Sequence, residues 1–583
     1  MCFSWVVQKQ LHDKEAYMKK TVAIGIQDFE ELITSNCFYI DKTDFIREWW
    51  DSRDKVTLIT RPRRFGKTLN MSMLERFFSM AYAGRGSVFQ GLSIWEGEGY
   101  RQLQGTYPVI SLSFAAVKEQ SFTDARRKIC QIIALQYEEC APLLDPSKLT
   151  EQDLAFMGRV TVDMDNMDAS LSLFRLSKML ARCCGKKVII LLDEYDTPMQ
   201  EAYVNGYWDE MAAFTRTVFN ATFKTNPWLE RAVMTGITRI SKESVFSDLN
   251  NLKVVTTTSK EYATAFGFTE QEVFAALDAQ GLGGEKEGVK KWYDGFTFGD
   301  CPDIYNPWSI LNFLDTGQFD AYWANTSSNS LVSKLVREGG RNIKEKFEDL
   351  LQSHTLHAAI DEQIVYSQLE QDEGAIWSLL LASGYLKVLS YGQYEVDVFG
   401  DASRQYQLAP TNLEVRKMFR SMVMSWFAPA GRDYNDFVKA LLCGDIKSMN
   451  AYMNRVALRT FRFFDTGKHP SLSEPERFYH GFVLGLLVDL GGRYTLTSNR
   501  ESGFGRYDVM LEPRDLAKDD AILLEFKVID ETEEASLADT VQAALKQIQE
   551  KQYATSLIAK GIPQGRIHAY GFAFQGKTVL IGA

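Results

Sequence analysis

The sequence predicts an α/β protein in three parts: an N-terminal parallel sheet with helices on both faces, a helical middle region, and a C-terminal α/β domain. Three observations predict it. Apolar strands alternate with amphipathic helices from about residue 20 to 265, residues from about 266 to 470 turn mostly helical, and a new α/β pattern begins at about 471. At 583 residues the chain exceeds what one hydrophobic core supports, so the expected domains are 1–265, 266–470 and 471–583.

The strands expected in the first part are Thr57–Thr60, Val109–Phe114, Val188–Leu192 and Val233–Ile237. The first of them leads into RPRRFGKTL, a tight basic loop followed by a helix opening at Gly66, Lys67 and Thr68. A loop of this kind holds phosphates. Backbone N–H groups and the helix dipole face the anion, the lysine reaches the outer phosphates, and the threonine hydroxyl meets Mg²⁺. Arg61 stands where the full motif has its first glycine, and Arg63, Arg64 and Lys67 complete a local basic patch that phosphate explains most simply.

Lys187–Asp196, KVIILLDEYD, reads as a buried parallel strand ending in Asp193 and Glu194. A carboxylate at such a tip holds Mg²⁺, and its neighbour can orient the attacking water. The strand in AVMTGITRI ends at Thr235, which could sense the terminal phosphate, with Arg239 beyond it as a candidate for stabilising charge during phosphoryl transfer. An acidic strand end, a turn threonine and a surface arginine would each look the same taken singly. Order and spacing favour a site for ATP and Mg²⁺.

The middle region alternates helical segments such as TEQEVFAAL with the aromatic turn segments Trp292–Phe298 and Tyr305–Ser309, expected to pack an interdomain surface. The last part carries different chemistry. Tyr507–Leu511 is a strand bearing Asp508, and Ala521–Val528 a strand bearing Glu525 and Lys527. Residues i and i+2 of a strand share a face, and a hairpin between the two strands brings Asp508 alongside. Two carboxylates and an ammonium suit a Mg²⁺ or Mn²⁺ site for phosphodiester hydrolysis, with Asp508 and Glu525 as metal ligands. Glu476 begins a helix that could add a carboxylate, and Gln547 lies in a helix able to support the site; His480 reads as a packing residue.

Composition narrows the classes. Hydrophobic content of 45% predicts a folded chain, and a net charge of −11 argues against nonspecific coating of nucleic acid. From Glu474 to Lys577 there are 12 Lys and Arg against 16 Asp and Glu, so any grip on nucleic acid there must be local. No stretch reaches the about 18 uncharged apolar residues of a membrane span. The first residues, MCFSWVVQKQLHDK, lack the pattern of a signal peptide, and eight cysteines without CxxC spacing suggest neither zinc nor a disulfide framework. The sequence reads as cytoplasmic.

Taken together, YIDKT at Tyr39–Thr43, RPRRFGKT, LLDEYDTP, TGITRISKES and FSDLNNL resemble the AAA-ATPase-like proteins of bacteria. These are usually fused to a C-terminal domain of the PD-(D/E)xK nuclease superfamily. WYDGF, YNPWS, YWANTSSN and ASGYL are similar to their connecting region, and FYHGFVLGLL, SNRESGFGRYDVML and LLEFKV to their nuclease-like end. The resemblance covers nearly the whole chain and implies a P-loop NTPase (AAA-like) domain and a restriction-endonuclease-like domain. It implies Lys67 and Thr68 for phosphate and Mg²⁺, Asp193 and Glu194 for the second strand motif, and Glu476, Asp508, Glu525, Lys527 and Gln547 for the nuclease site. Arg61 is also how this family writes its loop.

The function expected is an ATP-binding, ATP-hydrolysing protein coupled to a metal-dependent nuclease, with DNA the foremost nucleic-acid partner. The alternative is a nucleotide-dependent switch or scaffold whose nuclease-like domain only binds nucleic acid or protein. Assembly into a homo-oligomer through Arg239 is a further possibility.

Overall fold

The computed structural model describes residues 20–583 apart from 239–245, 247–248, 324–331, 333–334, 337–340, 352–354, 361–372, 397–401, 427–433, 461–482, 484–485, 488–489, 491–492, 503–504, 531–533 and 576–577. The chain divides into two units, Met1–Met418 and Phe419–Ala583.

In the first unit the run VTLIT forms β1 (Val56–Thr60), buried along its whole length. The loop that follows ends at Gly66, whose φ of 79° starts α1 (Lys67–Phe78). A Cβ at Gly66 would meet nothing within 4 Å, so the left-handed backbone, not crowding, selects glycine there. Next come β2 (Val109–Ser113), α2 (Phe122–Cys140), α3 (Asn166–Cys184) and β3 (Val188–Asp193). Further elements include α4 (Thr197–Asn205), β4 (Leu229–Gly236) and β5 (Leu252–Val255). All five strands are parallel, in the order β2-β3-β4-β1-β5. This order sets β4 between β3 and β1, with Ile59 beside Thr235 and Leu192 beside Met234. The loop after β1 and the tips of β3 and β4 thus meet at one edge of the sheet, where ligands of open α/β sheets bind.

The middle region contains α5 (Glu270–Ala279), opened by a Thr269/Glu272 capping box, and α6 (Lys286–Tyr293). It adds two small antiparallel sheets to the expected helices. One joins β6 (Phe268–Thr269), β7 (Phe296–Phe298) and β8 (Cys301–Tyr305) in the order β6-β8-β7. The segment YNPWS is a helix start: Asn306 accepts from the backbone N–H of Trp308 and Ser309 at 2.9 and 3.2 Å, and Pro307 opens α7 (Pro307–Thr316). The other sheet comprises β9 (Leu356–Ala359), β10 (Leu386–Val396) and β11 (Ala402–Pro410), with β11 central.

The second unit carries α8 (Tyr434–Cys443) and α9 (Ile446–Thr460), then β12 (Tyr494–Ser502), β13 (Gly505–Pro513) and β14 (Ala521–Val528). A crossover through α10 (Leu537–Glu550) leads to β15 (Ile567–Gln575), and β16 (Thr578–Gly582) ends the sheet. Strand order follows the chain, β12 to β16; only β14 and β15 pair parallel, as a helical crossover requires. One face buries Val509, Leu511, Leu524 and Phe526 against Phe437, Leu441, Met449 and Met453, while Met510 and Leu523 face Ile548, Tyr553 and Leu557 on the other. Edge strand β16 is covered by two side chains of α9. Asn450 exchanges two hydrogen bonds of 2.8 Å with the Ile581 backbone, and Asn454 does the same with Val579 at 2.6 and 2.9 Å. Unpaired edge groups that would template another chain are satisfied in this way.

Among the described residues no helix is long and apolar enough to cross a membrane, and the cysteines are free thiols.

Candidate nucleotide and metal sites

The basic loop is held from beneath by Arg61. Its side chain points inward, fully buried, and donates to the carbonyls of Thr60 and Thr256 at 2.9 and 2.7 Å and of Glu261 and Tyr262 at 3.3 and 3.5 Å. The guanidinium lies 4.6 Å from the centre of the Phe298 ring. Burial pushes its pKa down to about 9. Pro62, Phe65 and Arg64 tie the rest of the loop to the middle region. Phe65 packs edge-on against Phe296 and Phe298, and exposed Arg64, at φ 66°, stacks on Trp308 at 4.3 Å. The Arg63 carbonyl accepts from Asn306 at 3.2 Å. The aromatic segments of the middle region therefore clasp the loop itself.

Lys67 is 3% exposed and donates to the carbonyls of Arg61 and Pro62 at 3.1 and 3.2 Å, with Glu194 Oε1 at 3.4 Å. Thr68 Oγ1 donates to Asp193 Oδ2 at 2.7 Å, and Thr235 Oγ1 donates to Asp193 Oδ1. Burial pushes the Asp193 carboxyl above the usual carboxylate range, and the neighbouring Glu194 charge adds to this; Thr235, Thr68 and Lys67 oppose it. Glu194 sits at φ 53°, a conformation that costs a non-glycine residue energy and recurs at functional sites. The oxygens of Thr68 and Asp193 are hard donors suited to Mg²⁺, and Lys67 lies at the first turn of a helix that offers its amide N–H groups to an anion.

In the second unit the β13–β14 ladder ends at Val509–Leu524, and one further step brings Asp508 opposite Glu525. Asp508 Oδ2 accepts from the Phe526 amide at 2.8 Å. Glu525 is 3% exposed and accepts from Gln547 Nε2, which also reaches the Tyr553 hydroxyl at 3.1 Å. Burial and the charges of Glu525 and Asp508 push the Tyr553 hydroxyl above the ordinary tyrosine value. Lys527 is half-buried on the same strand face as Glu525. Opposite Glu525 stands Gly571, where a Cβ would lie 2.9 Å from the Val541 carbonyl; the absent side chain lets α10 approach and carry Gln547 to the site.

Residues 23–246 match the family described as Predicted AAA-ATPase, and residues 474–583 match the PD-(D/E)XK nuclease superfamily. The chain joins an AAA-ATPase-like domain to a PD-(D/E)XK nuclease-like domain. A relative in Azotobacter chroococcum mcd 1, described as an uncharacterized protein in the vnfD 5′ region, is 24% identical across 95% of this chain and 96% of its own length.

Of the residues expected from sequence in the AAA-ATPase-like domain, Gly66, Lys67, Thr68, Asp193, Glu194 and Thr235 converge at the strand tips. Arg63 and Arg64 belong to the same loop, Arg64 turned onto Trp308. Arg239 lies outside the described residues. In the nuclease-like domain Asp508, Glu525 and Gln547 come together, with Lys527 on the shared strand face; Glu476 and His480 lie outside the described residues. Sequence reasoning assigned no role to Tyr553 or Asp196. Asp196 closes KVIILLDEYD and Tyr553 follows Gln547 by six residues, and a polar residue close in sequence to an expected site residue was the signal available.

Proposed function

We propose that the AAA-ATPase-like domain binds and hydrolyses ATP with Mg²⁺ and that its nucleotide state governs a Mg²⁺- or Mn²⁺-dependent nuclease acting on DNA. The reading is carried by one observation: each unit holds its own set of a lysine with oxygen donors, Lys67 with Thr68 and Asp193 in one, Lys527 with Asp508 and Glu525 in the other.

Lys67 exchanges its loop carbonyls for the outer phosphates of ATP, and Thr68 and Asp193 hold the ion. Glu194, released from Lys67, orients the attacking water. In the nuclease-like domain Asp508 and Glu525 hold the ion, Lys527 positions the nucleophilic water, and Gln547 fixes the Glu525 carboxylate through Oε1. When bound, the metal ion neutralises phosphate charge and lowers the pKa of its water. Asp193 and Glu525, both buried, fit this role, because a bound cation offsets the cost of holding a carboxylate charge away from water.

The test is cleavage of plasmid and single-stranded oligonucleotide by the purified chain in Mg²⁺ or Mn²⁺. Loss of cleavage in a folded Glu525→Ala variant is the expected result. Undiminished cleavage by that variant would sink the assignment. Absence of cleavage by the wild type under every condition would favour the switch or scaffold.

A further inference from the structure

The tips of β3 and β4 are one interlocked piece. The Tyr195 amide donates to the Thr235 carbonyl at 2.9 Å, and the Tyr195 hydroxyl to the Thr238 carbonyl at 2.7 Å. Asp196, fully buried, receives four hydrogen bonds at a single oxygen, Oδ2: from the amides of Ile237 and Thr238 at 3.0 and 2.9 Å, the Thr238 hydroxyl at 2.9 Å and Gln200 Nε2 at 3.0 Å. Its other oxygen has no hydrogen-bond donor among the described residues. That oxygen faces the backbone of Gly236, where an added Cβ would stand 2.7 Å from Oδ1 and 2.7 Å from the Tyr195 ring. Gly236 in turn accepts from the Arg61 amide at 3.1 Å, which links the clasp to the phosphate loop.

Such a buried carboxylate is unfavourable unless charge-assisted bonds satisfy it. Four donors converging on one oxygen hold the chain where it leaves β4. This fixes the β4 tip, and through it the Thr235 hydroxyl on Asp193 Oδ1. With Oδ1 so engaged, the carboxylate plane is set and Oδ2 stays directed at Thr68.

We infer that Asp196 is a positioning residue for the ion at Thr68 and Asp193, acting through Ile237, Thr238 and the β4 tip without touching nucleotide. The inference rests on the ATP and Mg²⁺ reading above and deepens it. Partners that orient metal ligands change metal affinity by about 10- to 100-fold when altered. Asp196 therefore controls the Mg²⁺-dependent part of ATP binding and leaves the Mg²⁺-free part to Lys67 and the loop amides.

The experiment measures binding of a fluorescent ATP analogue to the full chain, titrated with and without Mg²⁺, for wild type, Asp196→Asn, Asp196→Ala, Gly236→Ala and Lys67→Ala. In Asp196→Asn and Gly236→Ala, Mg²⁺-free affinity is expected within about twofold of wild type, while the gain brought by Mg²⁺ falls about tenfold. Gly236→Ala reaches the same clasp by crowding and stands in if Asp196→Ala fails to fold. An unchanged Mg²⁺ gain in both variants overturns the inference, as does a loss of Mg²⁺-free binding equal to the loss of the gain. A wild type that binds no nucleotide, indistinguishable from Lys67→Ala, overturns the ATP reading itself.

Discussion

Replacing Arg61 with glycine writes the common form of the phosphate loop, yet the structure predicts that it weakens this protein. The arginine is a brace, and glycine cannot substitute for it. Two close bonds from a charged donor, to Thr60 and Thr256, are worth about 1.5–3 kcal/mol each. Stacking on Phe298 contributes about 1–2 kcal/mol, and a glycine adds about 0.5–1 kcal/mol of chain entropy. Against this stands the cost of burying the guanidinium. A pKa moved from 12.5 to about 9 corresponds to about 5 kcal/mol at roughly 1.36 kcal/mol per unit. Taken at the midpoints, the net is a loss of about 2 kcal/mol, before any cavity term. In a thermal melt followed by the fluorescence of a hydrophobic dye, Arg61→Gly is expected to lower the first transition by about 4 °C, taking about 2 °C per kcal/mol. The same variant should bind ATP no more tightly than wild type. Arg61→Lys, which keeps charge but loses the planar fork, should fall between them. An Arg61→Gly protein that melts at or above wild type and binds ATP more tightly would refute the reasoning.

Other expectations follow from the same geometry. Tyr553→Phe removes the hydroxyl that steadies Gln547 and should weaken Mn²⁺ binding to the nuclease-like site about tenfold, read by calorimetry; unchanged affinity would mean that Gln547 holds Glu525 without help. Asn450→Ala and Asn454→Ala should each cost about 1–3 kcal/mol and promote self-association through the uncovered β16 edge, visible by light scattering. Asp294, beside Asp303 and Glu270, has its pKa pushed up to about 6 by burial and by Asp303. Because its folded value lies above the unfolded 3.8, the folded state holds more protons between these values. Its contribution is full below about pH 4 and is lost as pH rises through about 6. Asp294→Asn should flatten the pH dependence of melting across that window; an unaltered slope would remove Asp294 as its source.

Strands β1, β3 and β14 were legible because each is a continuous apolar run bounded by polar chemistry, and the loop because Gly-Lys-Thr followed one of them. Strand β5 was not. Its four residues, LKVV, are mostly half-buried at the sheet edge and carry a lysine, so neither alternation nor burial marks them. Strands β7 and β8 lay hidden in an aromatic, glycine-bearing segment, and the β7 phenylalanines pack on Phe65 of the loop, a contact no local pattern encodes. The site was legible where residue type declares chemistry: Lys67, Asp193, Glu525. Asp196 and Arg61 act through partners remote in sequence, just past β4 and beyond β5, and Tyr553 acts through Gln547 on a carboxylate of β14; a single sequence does not reveal which strands become neighbours. Arg61 illustrates the gap most clearly. As a letter it is a missing glycine, and only the position of Thr256 and Phe298 makes it a brace.

The central claim is that the two units communicate, and it is tested most directly by metal-dependent DNA cleavage measured with and without ATP in wild type, Lys67→Ala and Lys527→Ala. The account predicts cleavage that ATP alters in the wild type, cleavage indifferent to ATP in Lys67→Ala, and no cleavage in Lys527→Ala. Cleavage that ATP leaves unchanged in the wild type, or that persists in Lys527→Ala, would contradict it.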